Sequence, residues 1–226
     1  MKNFLIKFTL ISTLFIFSCA PIKIRPVFLN PPPTAVYHKK AIGEISISAP
    51  EGHSYWLTAE YQTWLNKKQE FDGGVITHYY NYYGSRDTIS SGNIFGFVRK
   101  WVTLIDRKNP LFNVYGGVQV SYNEYGEIIN NKNFLFCSHL ETGIVFGLYR
   151  EKINLSLPLR LGYGVTYPKG YYLFMGPGLQ CNLFIIKNLG LNFEVNYSLG
   201  VGSTEEDVAV LAVPQFLRLS IVYRWD

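Results

Sequence analysis

The stretch from Ile153 to Tyr167 alternates strictly between apolar and polar side chains over its whole length. It reads INLSLPLRLGYGVTY: the odd-numbered positions carry Ile, Leu, Tyr or Val, and the even-numbered positions carry Asn, Ser, Pro, Arg, Gly or Thr. Successive side chains of a β-strand point to opposite faces of the sheet. The stretch therefore predicts a long strand with one apolar face and one polar face.

The same alternation recurs along the rest of the chain, and no helical period competes with it beyond the N-terminal leader. It defines ten candidate strands, near residues 43–49, 53–66, 74–83, 92–105, 112–122, 134–149, 153–167, 171–185, 191–200 and 217–225. The connections between them carry charged and polar turn residues, and some are short and others longer. The sequence therefore predicts an all-β fold.

The composition of the two faces indicates which one meets water. A soluble sheet presents Lys, Glu and Asp to water, whereas the polar faces here are mostly Gly, Ser, Asn, Gln and Thr, and only 16% of the chain is charged. The strands are also longer than the five or six residues usual in soluble sheets. Both features favour a single antiparallel up-and-down transmembrane β-barrel over residues 41–226, with about ten strands, or eight as the alternative.

This interpretation fixes the direction of individual side chains. The apolar face should form a continuous outward band, because a one-residue register slip would place Arg160 on lipid. The residues expected to face outward are Leu155, Leu157, Leu159, Leu161, Phe193, Val195, Leu219 and Ile221.

The N-terminus predicts a signal peptide over residues 1–18. Lys2 and Lys7 form a basic start, which is followed by a short apolar helix-forming stretch and by small residues. Ile16-Phe17-Ser18-Cys19 resembles a bacterial lipobox, which implies cleavage before Cys19 and acylation of that cysteine with palmitate-like chains. Conventional signal cleavage is the alternative. Ala20 stands where retention in the inner membrane would favour Asp, and this implies delivery to the outer membrane.

Residues 19–40 are rich in proline, with Pro21, Pro26 and Pro31 to Pro33. Proline removes a backbone donor and fixes φ, so the segment predicts an extended tether between the lipidated Cys19 and the barrel.

A lipobox, a proline-containing tether, a Gly-Glu strand at Ile42-Gly43-Glu44-Ile45 and about ten alternating strands resemble the β-barrel outer-membrane lipoproteins of Bacteroidota and related bacteria. The resemblance covers residues 19–226. It implies a porin-like cell-envelope protein in the bacterial outer membrane, anchored through its N-terminus. The implied partners are membrane lipids and the barrel-assembly and lipoprotein-sorting machinery. It implies no reaction and no cofactor.

Motifs for other functions are few. The net charge of +5 is spread without a dense basic block, which argues against nucleic-acid binding. The sequence contains no G-x-S-x-G, H-E-x-x-H, phosphate-loop or C-x-x-C motif. We therefore expect no catalytic residues, no metal site and no enzyme activity.

Several polar residues nevertheless admit a barrel-embedded hydrolase as an alternative. Within Ser138-His139-Leu140-Glu141, His139 and Glu141 share a strand face and Ser138 points the other way, so a Ser–His pair cannot form there. His53, His78, Asp72 and Asp87 could in principle contribute to such a site, although their spacing does not single them out.

The polar faces also carry charges that predict a closed lumen. The members of this proposed lumen network are Glu60, His139, Glu141, Arg160, Glu194, Arg218 and Arg224. Ten strands enclose an interior little wider than the eight-stranded one that side chains can fill, and a confined charge is costly unless it is paired. We therefore expect carboxylates and guanidinium groups to converge into a plug, with Glu194 and Arg218 as the best pair. Exposure of these charges at the rims is the alternative.

Three functions remain open from the sequence. The first is a lipid-anchored outer-membrane barrel with a structural, surface-interaction or narrow-channel role and a mostly plugged lumen. The second is a lipidated soluble barrel that carries an apolar ligand inside, and the third is the barrel-embedded hydrolase. The sequence identifies no surface or periplasmic protein partner.

Overall fold

The computed structural model describes residues 24–36, 40–48, 54–83, 88–102, 112–125, 134–150, 152–167, 170–204, 209–214 and 217–225. The predicted signal peptide and Cys19 lie outside these residues. Among the described residues, no helix is long and apolar enough to cross a membrane.

Thirteen strands are present in the described part of the chain. They are β1 (Ile24–Leu29), β2 (Ala41–Ser48), β3 (Ser54–Trp64), β4 (Phe71–Tyr83), β5 (Thr88–Val102), β6 (Phe112–Tyr125), β7 (Phe134–Tyr149), β8 (Ile153–Tyr167), β9 (Gly170–Phe184), β10 (Leu189–Asn196), β11 (Leu199–Thr204), β12 (Ala209–Pro214) and β13 (Leu217–Trp225).

Strands β2 to β13 form a closed antiparallel wall. β2 to β9 pair in chain order, and β10 and β11 both pair with β9. On their other side, β11 pairs with β12 and β10 pairs with β13. The wall therefore counts β10 and β11 as one strand position, and β12 and β13 as another. The pairing of β13 with β2 closes the circle. The result is an up-and-down barrel of ten strands, which confirms the predicted fold class and the predicted strand number.

The two ends of the barrel are distinct. At one end, here named the terminal rim, β2 begins at Ala41 opposite Trp225, where β13 ends. At the other end, named the far rim, β8 ends at Tyr167, β9 begins at Gly170 and β12 begins at Ala209. Because the number of wall strands is even, the start of the first wall strand and the end of the last one lie at the same rim.

Alternation is complete along β8, where every even-numbered residue is buried and every odd-numbered one is exposed. Seven of the eight residues predicted to face outward are between 43% and 58% exposed, and Val195 is half-buried on the same face. The predicted direction of the apolar face is confirmed. The seven exposed residues are Leu155, Leu157, Leu159, Leu161, Phe193, Leu219 and Ile221.

The glycines of the inward face make room for aromatic rings. Gly162 and Gly164 lie directly across the β8–β9 ladder from Phe174 and Tyr172. A Cβ atom added at either glycine would overlap the facing ring. The Gly-rich polar faces thus accommodate large buried aromatics, and the lumen wall is more aromatic than the predominance of Gly, Ser, Asn, Gln and Thr on these faces indicates.

Leu159 lies near the middle of β8, so it provides a direct test of the outward face. If this face meets lipid, Leu159→Arg is expected to lower the free energy of unfolding by about 2–4 kcal/mol. Ile153→Arg, at the terminal-rim end of the same strand, should cost only about 0–1 kcal/mol, since the penalty depends on depth. Urea titration of the barrel in phospholipid vesicles measures both. Equal losses at the two positions would contradict a lipid-facing band.

Candidate functional site in the barrel lumen

The lumen contains a piece of the chain itself. Residues 27–36, here named the lumen segment, are all buried, although they belong to no strand of the wall. Residues 27–29 end β1, which pairs in parallel with β12, and Asn30–Val36 have neither helix nor strand structure. This segment falls within residues 19–40, which the sequence analysis interprets as a tether. The structure places this part of it inside the barrel.

Polar side chains of the wall satisfy the backbone of the lumen segment in its first half. The Phe28 carbonyl accepts hydrogen bonds from Asn93 Nδ2 at 2.9 Å and from Gln119 Nε2 at 3.0 Å. Asn30 N donates to Gln119 Oε1 at 3.0 Å, and the Asn30 carbonyl accepts from Arg160 Nη1 at 2.7 Å. Buried backbone groups need partners, and here side chains of the wall supply them in addition to the pairing of β1 with β12.

The second half of the lumen segment is held in the same way. The Thr34 carbonyl accepts from Gln62 Nε2 at 2.9 Å and from Arg99 Nη1 at 3.0 Å. Ala35 N donates to Gln180 Oε1 at 3.1 Å. Wall residues from β3, β5 and β9 therefore converge on two consecutive residues of the lumen segment.

The three prolines between these halves, residues 31–33, reduce the number of groups that must be satisfied. Proline has no backbone N–H, so the run places no donor in the lumen, and its carbonyls alone need partners. Gln180 Nε2 lies 3.4 Å from the carbonyl oxygens of both Pro32 and Pro33. A proline run is therefore well suited to crossing a closed lumen.

Thr34 sits at the centre of a group of charged side chains, here named the Arg218 cluster: Arg218, Glu44, Glu60, Glu194 and Thr34. Arg218 contacts Glu194 through Nη2, and lies 3.2 Å from Glu44 Oε1 and 3.6 Å from Glu60 Oε2. Thr34 Oγ1 accepts a hydrogen bond from Arg218 Nη2 at 2.8 Å. The same hydroxyl is within donating distance of two carboxylates, at 2.6 Å from Glu44 Oε2 and 2.8 Å from Glu60 Oε2. Thr34 N donates to Glu60 Oε1 at 2.8 Å.

The Arg218 cluster combines three carboxylates with a single guanidinium group, and its residues are at most 4% exposed. Amide donors supplement the one positive charge: Asn192 Nδ2 bonds Glu44 at 3.0 Å, Gln62 bonds Glu60, and Asn196 bonds Glu194. Buried carboxylates are tolerated only when they are paired and hydrogen-bonded. Arg218 is therefore the group that contacts all three carboxylates, and Thr34 bonds two of them, those of Glu44 and Glu60.

A second group, the Arg99 cluster, lies beside the first and was not predicted. Arg99 binds Asp72 in a bidentate pair, with Nε to Oδ1 at 3.0 Å and Nη2 to Oδ2 at 2.7 Å. Trp101 Nε1 donates to the same carboxylate at 2.8 Å, and Arg99 lies over the Trp101 ring at 4.6 Å. Gln62 Oε1 accepts from Arg99, so Gln62 links this cluster to Thr34 and Glu60.

A third group, the Arg160 cluster, lies on the other side of the lumen. Arg160 Nη2 contacts Glu141, whose other oxygen accepts from Tyr115 Oη at 2.7 Å. His139 Nε2 lies 3.6 Å from Glu141 Oε2, and its Nδ1 is 2.9 Å from Tyr172 Oη. Arg160 Nη1 also bonds the Asn30 carbonyl, so this cluster joins the wall to the lumen segment.

The structure divides the residues of the proposed lumen network among three places. Glu60, Glu194 and Arg218 lie in the Arg218 cluster, and His139, Glu141 and Arg160 lie in the Arg160 cluster. Arg224 lies by the terminal rim instead, where its Nε donates to the Lys187 carbonyl at 2.7 Å and its guanidinium group stacks over Phe184 at 3.9 Å.

Of the residues considered for a hydrolase, His139 and Glu141 meet in the Arg160 cluster, whereas Asp72 and His78 lie apart. Asp72 is engaged by Arg99, whereas His78 stacks against Trp56 with ring centroids 4.8 Å apart. His78 lies six positions after Asp72 along β4, which is about 20 Å of strand. His53 and Asp87 lie outside the described residues.

Sequence reasoning missed Arg99, Gln62 and Thr34. β5 carries apolar residues on both faces around Arg99, with Phe95 and Phe97 inward and Ile94 and Val98 outward. Alternation is therefore ambiguous there. A signal was available in the lumen segment, because residues 26–36 contain no charged residue and several apolar ones, which is unusual for a solvated tether.

No protein-family model matches the chain, and no curated protein matches it. Among solved structures, the chain is similar to OmpT, an outer membrane protein of Vibrio cholerae that was folded in vitro and determined in its trimer form. The TM-score is 0.28 at 7% sequence identity, over 82% of this chain and 98% of that chain. The fold assignment rests on the strand pairing described above.

Proposed function

We propose that the chain is a bacterial outer-membrane β-barrel, anchored by a lipid on Cys19, whose lumen is closed by its own lumen segment. Its role is structural or surface-interacting, exerted through its rims and anchor, with at most a narrow path for ions. The proposal assigns it no catalytic activity and no cofactor. The outward apolar band carries the proposal.

The distribution of exposed charge supports an environment of lipid around the wall. Among the described residues, the exposed charged side chains lie in connections or at strand ends: Lys40, Lys67, Lys68, Lys100, Glu124, Arg150, Lys152 and Lys187. The outward face between the strand ends presents mainly Leu, Ile, Val and aromatic residues, with a few small or uncharged others such as Thr77 and Thr142. A wall of this kind is costly in water and favourable in a bilayer.

Exposed aromatic residues flank the apolar band. Tyr167 and Tyr171 lie at the far rim, and Tyr223 and Trp225 lie at the terminal rim, each between 40% and 68% exposed. Rings with one apolar and one polar part favour the interface between lipid and water. Their placement is consistent with a barrel that spans the bilayer along its full height.

The lumen argues against an open pore. The lumen segment crosses the interior, and Arg99, Arg160 and Arg218 bind its backbone or its Thr34 hydroxyl. Porins leave an aqueous channel by using 16 to 18 strands, and a ten-stranded wall encloses far less space.

A soluble barrel with an apolar ligand inside is less well supported. That alternative requires the leucines of β8 to point inward, and they point outward. The buried hydrophobic residues of the lumen are packed against one another and against the lumen segment, as in the group formed by Val27, Leu29, Leu135, Tyr172 and Phe174.

One experiment with two measurements tests the proposal. Membranes of cells that produce the wild-type chain or Cys19→Ser are washed with alkaline carbonate, and the purified wild type is recorded in planar bilayers. Both chains should stay in the membrane, since the barrel itself is embedded, and only the wild type should carry acyl chains by mass spectrometry. The wild type should give no large stable conductance. Extraction of both chains by carbonate, or porin-like currents, would overturn the proposal.

A further inference from the structure

The direction of the lumen segment shows where the N-terminal tail leaves the barrel. β1 pairs in parallel with β12, with Ile24 beside Ala209 and Leu29 beside Pro214. β12 begins at the far rim and runs towards the terminal rim. Ile24 therefore lies at the far rim, and the chain enters the lumen from that side.

The other end of the lumen segment lies at the terminal rim. Val36 packs against Ile42, Phe184 and Val222, which lie within a few residues of the terminal-rim ends of β2, β9 and β13. Lys40 N then bonds the Trp225 carbonyl at 3.1 Å, and β2 begins at the next residue. The chain thus crosses the whole lumen from far rim to terminal rim before it starts the wall.

From this path, we infer that the residues before Ile24 leave the barrel at the far rim, so that the N-terminal tail and the C-terminus lie on opposite sides of the membrane. A lipid on Cys19 would then enter the leaflet at the far rim. The inference rests on the proposed membrane function and on the direction of β1.

Chain length restricts the tail to that side. Cys19 is five residues before Ile24, and five extended residues reach at most about 18 Å. The apolar band of an outer-membrane barrel is about 25 Å tall. The tail is therefore too short to return to the terminal-rim leaflet along the outside, and the lumen is already filled by the lumen segment.

The lumen segment is also held at the seam that closes the wall. The hydrogen bonds of Thr34 reach wall strands on both sides of the β13–β2 seam, through Glu44 and Glu60 on one side and Arg218 on the other. These contacts fix the position of the lumen segment inside the closed barrel.

Epitope tags test this arrangement in the full chain. One tag is inserted between Ala20 and Pro21, a second at the far rim between Pro168 and Lys169, and a third at the terminal rim between Lys67 and Lys68. Antibody binding is compared in intact and permeabilised cells, with a soluble periplasmic protein as the control for intactness. Each tagged chain is also tested for resistance to carbonate extraction.

We expect the tail tag and the far-rim tag to have the same accessibility, and the terminal-rim tag to have the opposite one. A tail tag that behaves like the terminal-rim tag in a carbonate-resistant protein would overturn the inference while leaving the proposed membrane function intact. Release of all three tagged chains by carbonate would overturn both.

Discussion

Replacement of Arg218 by methionine is expected to lower the free energy of unfolding by about 3–5 kcal/mol, because it leaves buried carboxylates without the cation that pairs with them. Three carboxylates, on Glu44, Glu60 and Glu194, would remain in the lumen. Methionine is comparably long and apolar, so the loss reports mainly the missing charge and its hydrogen bonds. Urea titration in phospholipid vesicles, followed by tryptophan fluorescence, measures it.

Arg224→Met is the matched control for this change. Arg224 lies on the same strand and the same face as Arg218. It contacts the backbone carbonyl of Lys187 and the ring of Phe184, and both of these groups are uncharged. We expect a loss of about 1–2 kcal/mol there. Adding Glu194→Gln to Arg218→Met should recover part of the larger loss, since it removes one of the stranded charges. Losses of equal size for the two arginines would contradict the central position of Arg218.

The wall of the barrel could be predicted because its signal is local. Along β8 each residue alternates between lumen and exterior without exception, and this pattern is fixed by strand geometry alone. The sequence pairs Glu194 with Arg218 because the two predicted strands that carry them are consecutive. In the structure the two residues are direct partners in the β10–β13 ladder.

The remainder of the Arg218 cluster depends on closure of the barrel. Glu44 and Glu60 are partners across the β2–β3 ladder, and they reach Arg218 only because β13 pairs with β2, far away in the sequence. Alternation gives the face of each residue, but it does not give the register across the closing seam. The Arg99 cluster was missed for a different reason, because β5 is apolar on both faces.

The lack of charged residues in the lumen segment is a sign of burial, but its composition does not give its path through the barrel. Prolines predict an extended backbone and give no information about its surroundings. What decides its location is the set of partners on the wall, in particular Gln62, Gln119 and Gln180, whose amide groups each bond the backbone of the lumen segment. These glutamines belong to three separate strands, and only the folded barrel brings them to one axis.

Removal of residues 24–36 is expected to convert the closed barrel into an ion-conducting one. The wall side chains that bind the lumen segment would be left to water, and polar sites of sufficient size hold water. A ten-stranded wall is slightly wider than the eight-stranded one that side chains fill, and here the lumen segment occupies the interior. In planar bilayers, the deletion variant should show stable conductance steps that the wild type lacks. If the deletion variant does not refold, full-length Thr34→Val should show intermittent openings, because it removes the hydroxyl that bonds Arg218 and the two carboxylates.

A synthetic peptide supplies the control for this prediction. The peptide IRPVFLNPPPTAV, which corresponds to residues 24–36, should block the deletion variant when it is added at the far rim, since it restores the missing contacts. The same peptide with Thr34→Val should block roughly tenfold to hundredfold more weakly, because hydrogen bonds to charged groups contribute about 1.5–3 kcal/mol each. Conductance that is unchanged by the deletion, or equal block by both peptides, would show that the lumen segment does not close the barrel through Thr34.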